Sequence, residues 1–229
     1  MSMKKLVSIE LKKIDVKKYC FHALLANVGI AFLVLMTSFL TAMSGGDVPQ
    51  ITTVTVIDTL VKSVFIVWES VLIANLIIEE FRSKTVLILF SYPLDRKKAI
   101  VSKLLIIFTL IFASMIASQV FQNVLFLSLN QVLPLINYSI TLSEIGITFL
   151  TTVTSILLGM LPMYVGMLNK STVATVVSSI AIVSLTVSSG GQDGSGLITM
   201  IPVSVTMGLI GIALAMTAIK KMLSEDIVL

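Results

Sequence analysis

Apolar residues form six long stretches along the chain, separated by short polar segments. They cover about residues 20–43, 53–78, 99–127, 144–168, 171–189 and 197–219. Each approaches or exceeds the roughly 20 residues that a helix needs to cross the hydrocarbon core of a bilayer. The ten-residue alternating pattern of a transmembrane barrel does not occur. The hydrophobic pattern therefore predicts an all-α membrane protein with six transmembrane helices, in a single domain that covers residues 1–229.

Composition supports a location in the membrane. Of the 229 residues, 56% are hydrophobic and only 12% are charged, with a mean hydropathy of +1.05, whereas soluble domains carry about 25% charged residues. Cys20 and His22 are each the single residue of their type. This excludes a disulfide framework and a cysteine-based metal site, and we expect neither a catalytic residue nor a bound metal.

The basic residues are distributed on one side of the six-span pattern. Fifteen of the sixteen precede the first span, follow the sixth, or lie in or just beside the even-numbered loops, with Lys103 just inside the third span, and Lys62 in the second span is the exception. The odd-numbered loops contain no Lys or Arg. By the positive-inside rule, we expect a multi-pass protein of the cytoplasmic membrane with both termini in the cytoplasm. The net charge of +4 is explained by this asymmetry, so it does not indicate a nucleic-acid partner.

Residues 1–19 combine six lysines with an imperfect apolar stripe. We interpret them as an interfacial helix on the cytoplasmic leaflet, with a solvated basic leader as the alternative. The first apolar stretch lacks a small-residue cleavage motif, so it is interpreted as a retained span rather than a signal peptide.

Two of the later spans carry helix-packing signals. Pro162, between Gly159 and Gly166, is expected to kink the fourth span, and the kink is as compatible with gating as with a static bundle. The fifth span is rich in serine and threonine, which indicates that it packs against protein.

Three ionisable residues lie in the second span. Asp58 and Lys62 are four residues apart and can pair on one helix face, and Glu69 falls on nearly the same face. Charges at this depth are costly and usually face a cavity or a partner helix. Asp58, Lys62 and Glu69 are therefore candidates for lining a pathway, with a structural ion pair as the alternative, and the charge state of Glu69 stays open.

A dense polar segment, "EEFRSKTVLILFSYPLDRKKAIVSKLL", follows the second span. Acids at its start favour a short helix over Glu79–Phe90, and Pro93 favours a turn before a second helix that begins near Leu94. Its charged rim surrounds apolar side chains, which is typical of a protein docking site: Phe81, Val86, Leu87, Leu89 and Phe90. A loop anchored to lipid headgroups is the alternative.

This segment resembles the corresponding one in permeases of the type-2 ABC exporter family. The shared features are an acidic pair and a basic residue before Thr85, a Ser-Tyr-Pro-Leu turn, and a basic stretch that leads into Lys103-Leu104. The ending "IKKMLSEDIVL" and the six-span layout are also similar. The loop before the sixth span departs from the family, because it is too short for the re-entrant segments found there.

The resemblance implies a cytoplasmic coupling helix between spans two and three. The residues that match it are Glu79, Glu80, Phe81, Arg82, Ser83, Lys84, Thr85, Leu87, Tyr92 and Pro93. It also implies two ABC ATPase subunits and a second permease, which would be either another copy or a sister protein. Similar small permeases export amphipathic or antimicrobial peptides or confer resistance to them, although lipid and drug cargo stay open.

The chain itself shows no nucleotide site. The nearest approach to a phosphate-binding loop is "YVGMLNKST", in which Tyr164 and Asn169 replace the glycines that the motif requires. We therefore expect no enzymatic activity and no cofactor bound directly, with ATP and magnesium held by the partner ATPase. The alternatives are an ion-coupled secondary carrier, which predicts more intramembrane acids and inverted repeats, and a membrane scaffold or sensor subunit.

Overall fold

The computed structural model describes residue 11 and residues 15–43, 53–83, 96–132, 138, 140–188 and 196–225. All regular secondary structure in these residues is helical. The α-helices are α1 (Val16–Met43), α2 (Thr53–Ile73), α3 (Glu79–Arg82), α4 (Arg96–Val132), α5 (Leu142–Gly159), α6 (Leu161–Asn169), α7 (Thr172–Ser188) and α8 (Ile201–Glu225). A π-helical turn, Ala74–Ile78, joins α2 to α3 without interruption.

Five helical segments are long and apolar enough to cross a membrane: Lys17–Met43, Thr53–Arg82, Lys97–Val132, Leu142–Asn169 and Ile201–Leu223. The helix α7 is also apolar but shorter, with 17 residues, or about 25 Å at 1.5 Å per residue. These helices confirm the prediction of an all-α membrane protein. Of the six predicted spans, the first four and the sixth correspond to these long helices, and the fifth corresponds to the shorter α7.

The helix α2 lies at the centre of the bundle. Its span is the most buried of the five, whereas that of α1 is the most exposed. Side-chain contacts of α2 with α5 pair Lys62 with Thr151 and Glu69 with Gly159, so these two helices run in the same direction. The contact of Ser70 with Ser179 places α7 against another part of α2.

The close approach of α5 and α8 depends on a glycine. A Cβ atom at Gly211 would overlap the backbone carbonyl of Leu157. Small residues at such positions let two membrane helices pack backbone to backbone.

The predicted kink at Pro162 is confirmed as a one-residue interruption at Met160, where the backbone stays in the α region. The helix α5 ends at Gly159, Met160 forms a turn, and α6 starts at Leu161. Proline has no N–H to donate to the carbonyl four residues earlier, here that of Leu158, and its ring clashes with that carbonyl. The amide of Met163 bonds to the carbonyl of Met160 at 3.2 Å, which tightens the first turn of α6.

Of the helix predicted over Glu79–Phe90, the structure describes the first five residues. Glu79–Arg82 is helical and continues the second span without a break. The Ser83 hydroxyl donates to the carbonyl of Glu79 at 2.8 Å, and Ser83 adopts a turn, as expected for a serine that competes for backbone acceptors. Residues 84–95 lie outside the described residues, and the next helix that the structure describes begins at Arg96, close to the predicted start near Leu94.

Two further predictions concern segments that are only partly described. Most of the interfacial helix predicted over residues 1–19 lies outside the described residues, while Val16 to Tyr19 belong to α1. The sixth span is predicted to begin at about residue 197, whereas Leu197–Thr199 form a turn and α8 begins at Ile201.

Candidate functional site

The second span carries the ion pair that its sequence predicted. The Nζ of Lys62 donates to Oδ2 of Asp58 one turn away. The side chain of Lys62 has no solvent exposure, and that of Asp58 is 8% exposed. The spacing i, i+4 on one face of α2 places the two groups together, which confirms the predicted pairing.

Neighbouring helices complete the hydrogen bonding of this pair. Lys62 also donates to Oγ1 of Thr151 on α5 at 2.6 Å. Gln119 on α4 donates from Nε2 to Oδ1 of Asp58 at 2.8 Å. Three helices are thereby joined through one polar network, which stabilises two charges that would be costly alone.

Glu69 lies two turns further along α2 and is placed very differently. It is fully buried, and neither carboxylate oxygen has a hydrogen-bond partner among the described residues. The carboxyl group packs against Gly159, where a Cβ atom would overlap Oε2 and Cδ of Glu69. Glu69 therefore lies against the last residue of α5, directly at the interruption before α6.

A second polar cluster joins α1 to α4. The Ser118 hydroxyl donates to Oδ1 of Asn27 at 2.5 Å, and Nε2 of Gln122 donates to the Asn27 carbonyl at 2.8 Å. Ser118 and Gln122 belong to a polar band within α4 that also contains Gln119 and Asn123. Ser118 and Gln122 hold the exposed helix α1 to the bundle.

A groove of about 300 Å³ opens between α4 and α5, near the end of the bundle where α2 begins. Its polar lining consists of Gln119, Asn123 and Thr148. The remaining lining is apolar: Val54, Ile116, Val120, Val124, Ile140, Ile145 and Phe149. Because Gln119 also bonds to Asp58, the groove borders directly on the charged network.

At the other end of α2, the π-helical turn and α3 lead into the charged segment, the dense polar sequence that begins at Glu79. Glu80 pairs with Lys103 on α4, whose Nζ also donates to the carbonyl of Leu76 at 3.0 Å. Glu79 and Arg82 form a longer surface pair at 3.7 Å. Lys103 thus ties the π-helical turn and α3 to the start of α4.

The predicted coupling residues are described only in part. Glu79, Glu80, Phe81, Arg82 and Ser83 end the second span. The others lie outside the described residues: Lys84, Thr85, Leu87, Tyr92 and Pro93.

The structure adds residues that the sequence analysis did not single out. Gln119 and Thr151 complete the charged network, and Gly159 contacts Glu69. The run of polar residues within "SQVFQN" in an apolar helix is the signal that could have identified Gln119. No sequence pattern marks the contacts of Thr151 and Gly159 with α2, because these contacts depend on how two helices pack.

Among the described residues, no group of three or more His, Cys, Asp and Glu side chains is arranged to hold a metal ion.

The long apolar helices and the buried polar network define a multi-pass helical membrane protein. The chain is 31% identical to the uncharacterized protein YcbO of Bacillus subtilis (strain 168) over 228 residues, which cover 96% of this chain and 99% of YcbO. The protein belongs to the same family as YcbO. No protein-family model matches the chain, and no solved structure matches it.

Proposed function

We propose that the protein is the permease subunit of an ATP-driven ABC exporter in the cytoplasmic membrane. In this proposal it forms the translocation pathway together with a second permease, either another copy or a sister protein. Two separate ATPase subunits bind and hydrolyse ATP with magnesium. The cargo is an amphipathic molecule, with antimicrobial peptides as the preferred class.

The observation that carries this proposal is the connection between the charged segment and the bundle. The segment leaves the central helix α2 at Glu79–Arg82 and returns in α4 at Arg96. The pairing of Glu80 with Lys103 and the bond from Lys103 to Leu76 hold its two ends together. A partner that displaces this segment would therefore move α2 and α4 jointly, as a coupling element requires.

A sixth crossing by α7 belongs to the same proposal. The turn at Lys170, whose backbone is left-handed with φ 46°, reverses the chain between α6 and α7. Ser179 contacts Ser70 in the middle part of the second span, Thr53–Arg82. The end of α7 at Thr186 lies beside Gly196, which borders Thr59 near the start of α2. With α7 running back along α2, both termini lie on one side, and the distribution of lysine and arginine supports the cytoplasmic side.

The pathway residues are proposed to act in another conformation. Asp58, Lys62 and Glu69 are buried inside the packed bundle, so exposure to cargo needs separation of α2 from α4 and α5. The apolar groove beside Gln119 supports an amphipathic cargo, because it offers an apolar surface with a few hydrogen-bonding groups.

One observation favours a second candidate, an ion-coupled secondary carrier. Such carriers place ionisable groups next to interrupted helices within the membrane, and Glu69 lies against the interruption between α5 and α6. The two candidates differ in their energy source. Export that persists without an ATPase partner but collapses when the proton gradient is dissipated favours the carrier.

The exporter proposal is tested by purification and ATPase measurements. An ATPase encoded beside this chain is expected to copurify with it and to hydrolyse ATP faster in the complex. Replacing Phe81, Arg82 and Leu87 by Ala should weaken both effects. The matched control replaces Phe21, Leu24 and Leu25, which are exposed apolar residues of α1, and should leave both effects intact. Undiminished binding and stimulation in the first variant would refute the docking assignment.

A further inference from the structure

Glu69 is buried near the charged network of Asp58 and Lys62 but takes no part in it. Asp58 and Lys62 neutralise each other and bond to Gln119 and Thr151. Glu69 is equally buried, yet both of its carboxyl oxygens lack a partner among the described residues. An unpaired carboxylate in such surroundings is strongly unfavourable, whereas the uncharged acid costs far less. The packed arrangement therefore suits the acid and not the anion.

The charges around Glu69 do not offer it a counter-ion. From α1, Tyr19 packs against Trp68, the neighbour of Glu69 in sequence, but the Tyr19 hydroxyl is 2.9 Å from Ser114 Oγ. On α2 itself, Lys62 is bound to Asp58. The other helices packed on α2 carry their ionisable residues near their ends, and the exception is Tyr164 within the short α6. These terminal residues are Arg96, Lys97, Lys98 and Lys103 on α4, Glu144 on α5, and Lys170 between α6 and α7.

Glu69 lies beside the interruption between α5 and α6. Its carboxyl group occupies the space that Gly159 leaves by lacking a side chain. Gly159 is the last residue of α5, and Pro162 prevents the helix from continuing unbroken into α6. Water can reach the carboxyl group from this side only when the two helical segments move apart from α2.

We propose that Glu69 is a proton-binding site, and that the interruption between α5 and α6 controls access to it. When the interruption opens, the carboxylate takes up one proton from water or returns it, and no other bond changes. The acid favours the packed form, and the anion favours the open form, in which water solvates it. The inference is independent of any ATPase partner.

Infrared spectroscopy of the purified protein in lipid nanodiscs tests the proton site directly. A carbonyl stretch of a buried, protonated carboxyl is expected at neutral pH, and it should be lost in Glu69→Gln. The control Asp58→Asn should retain the band. The proposal is overturned if the folded native protein lacks the band at neutral pH, or if Glu69→Gln retains it.

Control of access is tested with the single tryptophan. Trp68 is next to Glu69, and its ring is 4.9 Å from that of Tyr19 and 5.6 Å from that of Phe65. A jump to high pH should change Trp68 fluorescence as the proton leaves, and Glu69→Gln should abolish the change. Pro162→Ala should slow it at least ~10-fold, because alanine restores the hydrogen bond to Leu158 and favours a continuous helix.

Pro202→Ala is the matched control, since Pro202 lies in the first turn of α8, where proline removes no hydrogen bond within the helix. It should leave the rate unchanged. Equal rates in Pro162→Ala and the native protein, with both variants folded by size-exclusion chromatography, would overturn the role of the interruption.

Discussion

At the scale of single residues, the two acids of α2 differ in whether the fold provides them with hydrogen-bond partners. Asp58 accepts hydrogen bonds from Lys62 and Gln119, whereas Glu69 contacts a glycine and has no partner among the described residues. A satisfied pair fixes the arrangement of three helices. An unsatisfied buried group raises the free energy of the packed form, and a second conformation that hydrates the group can remove this penalty. In the packed form, the pair is therefore expected to hold the helices together, whereas Glu69 is expected to change its charge between conformations.

Removing the cation from the pair should be strongly destabilising. Lys62→Met leaves Asp58 buried without its partner, and the free energy of unfolding should fall by about 3–5 kcal/mol. Denaturant titration in detergent micelles measures this change. The double variant Asp58→Asn with Lys62→Met should recover much of the loss, because no uncompensated charge remains. A loss in the double variant as large as that in the single one would contradict this explanation.

Replacing the unsatisfied acid should affect activity more than abundance. Glu69→Gln has nearly the same shape and no charge, so the packed form should persist while export of the cargo falls. Export assays with immunoblots of the membrane fraction separate the two effects. Full export at native abundance would remove Glu69 from the functional residues.

The sequence predicted the partners of these residues only when they lie on one helix. The spacing of Asp58 and Lys62 was sufficient to predict their pairing, because four residues return to the same face of a helix. The contact of Glu69 with Gly159 joins residues ninety positions apart. It depends on the packing of α2 against α5, which no local pattern specifies.

At the scale of helices, proline and glycine determine where the elements end and how closely they approach. The interruption at Met160 was foreseeable from Pro162, because the missing N–H acts locally. The end of the second span at Arg82 was not, because Ser83 is compatible with a helix and a turn alike. The π-helical turn at Ala74–Ile78 has no proline or glycine in its sequence to mark it.

The approach of α5 to α8 should depend on the missing side chain at Gly211. In Gly211→Ala, the new methyl group would meet the backbone carbonyl of Leu157, and the helices must separate. We expect a loss of about 1–3 kcal/mol, as for other overpacked interfaces. The control Gly146→Ala lies on α5 with no atom within 4 Å of the new Cβ, so it should be neutral or slightly stabilising. Thermal unfolding of both variants measures the difference, and equal melting temperatures would contradict the packing argument.

At the scale of the whole molecule, hydrophobic length predicted most of the architecture. Five of the six predicted spans are long enough as helices to cross a bilayer, because crossing needs a minimum apolar length that the sequence displays directly. The 17-residue α7 is the exception. Thr175, Ser179 and Thr186 are buried, with Thr175 beside Gly166 on α6 and Ser179 hydrogen-bonded to Ser70 on α2. Val173, Val177, Leu185 and Val187 are exposed, so only one face of α7 packs against protein as expected.

The account as a whole depends on which side of the membrane the charged segment occupies. Because α2 and α5 run in the same direction, Ser83 at the end of the second span and Leu142 at the start of α5 lie at opposite ends of the bundle. Both are exposed, and Leu142 is 85% exposed. The single native cysteine, Cys20, is also exposed, so it must first be replaced by alanine.

The most direct measurement is therefore cysteine labelling of Ser83→Cys and Leu142→Cys in that background with a membrane-impermeant maleimide. The account predicts that Leu142→Cys reacts in intact cells, and that Ser83→Cys reacts only after the membrane is permeabilised. Labelling of Ser83→Cys in intact cells would place the segment outside the cell, out of reach of any cytoplasmic ATPase, and would contradict the proposed coupling.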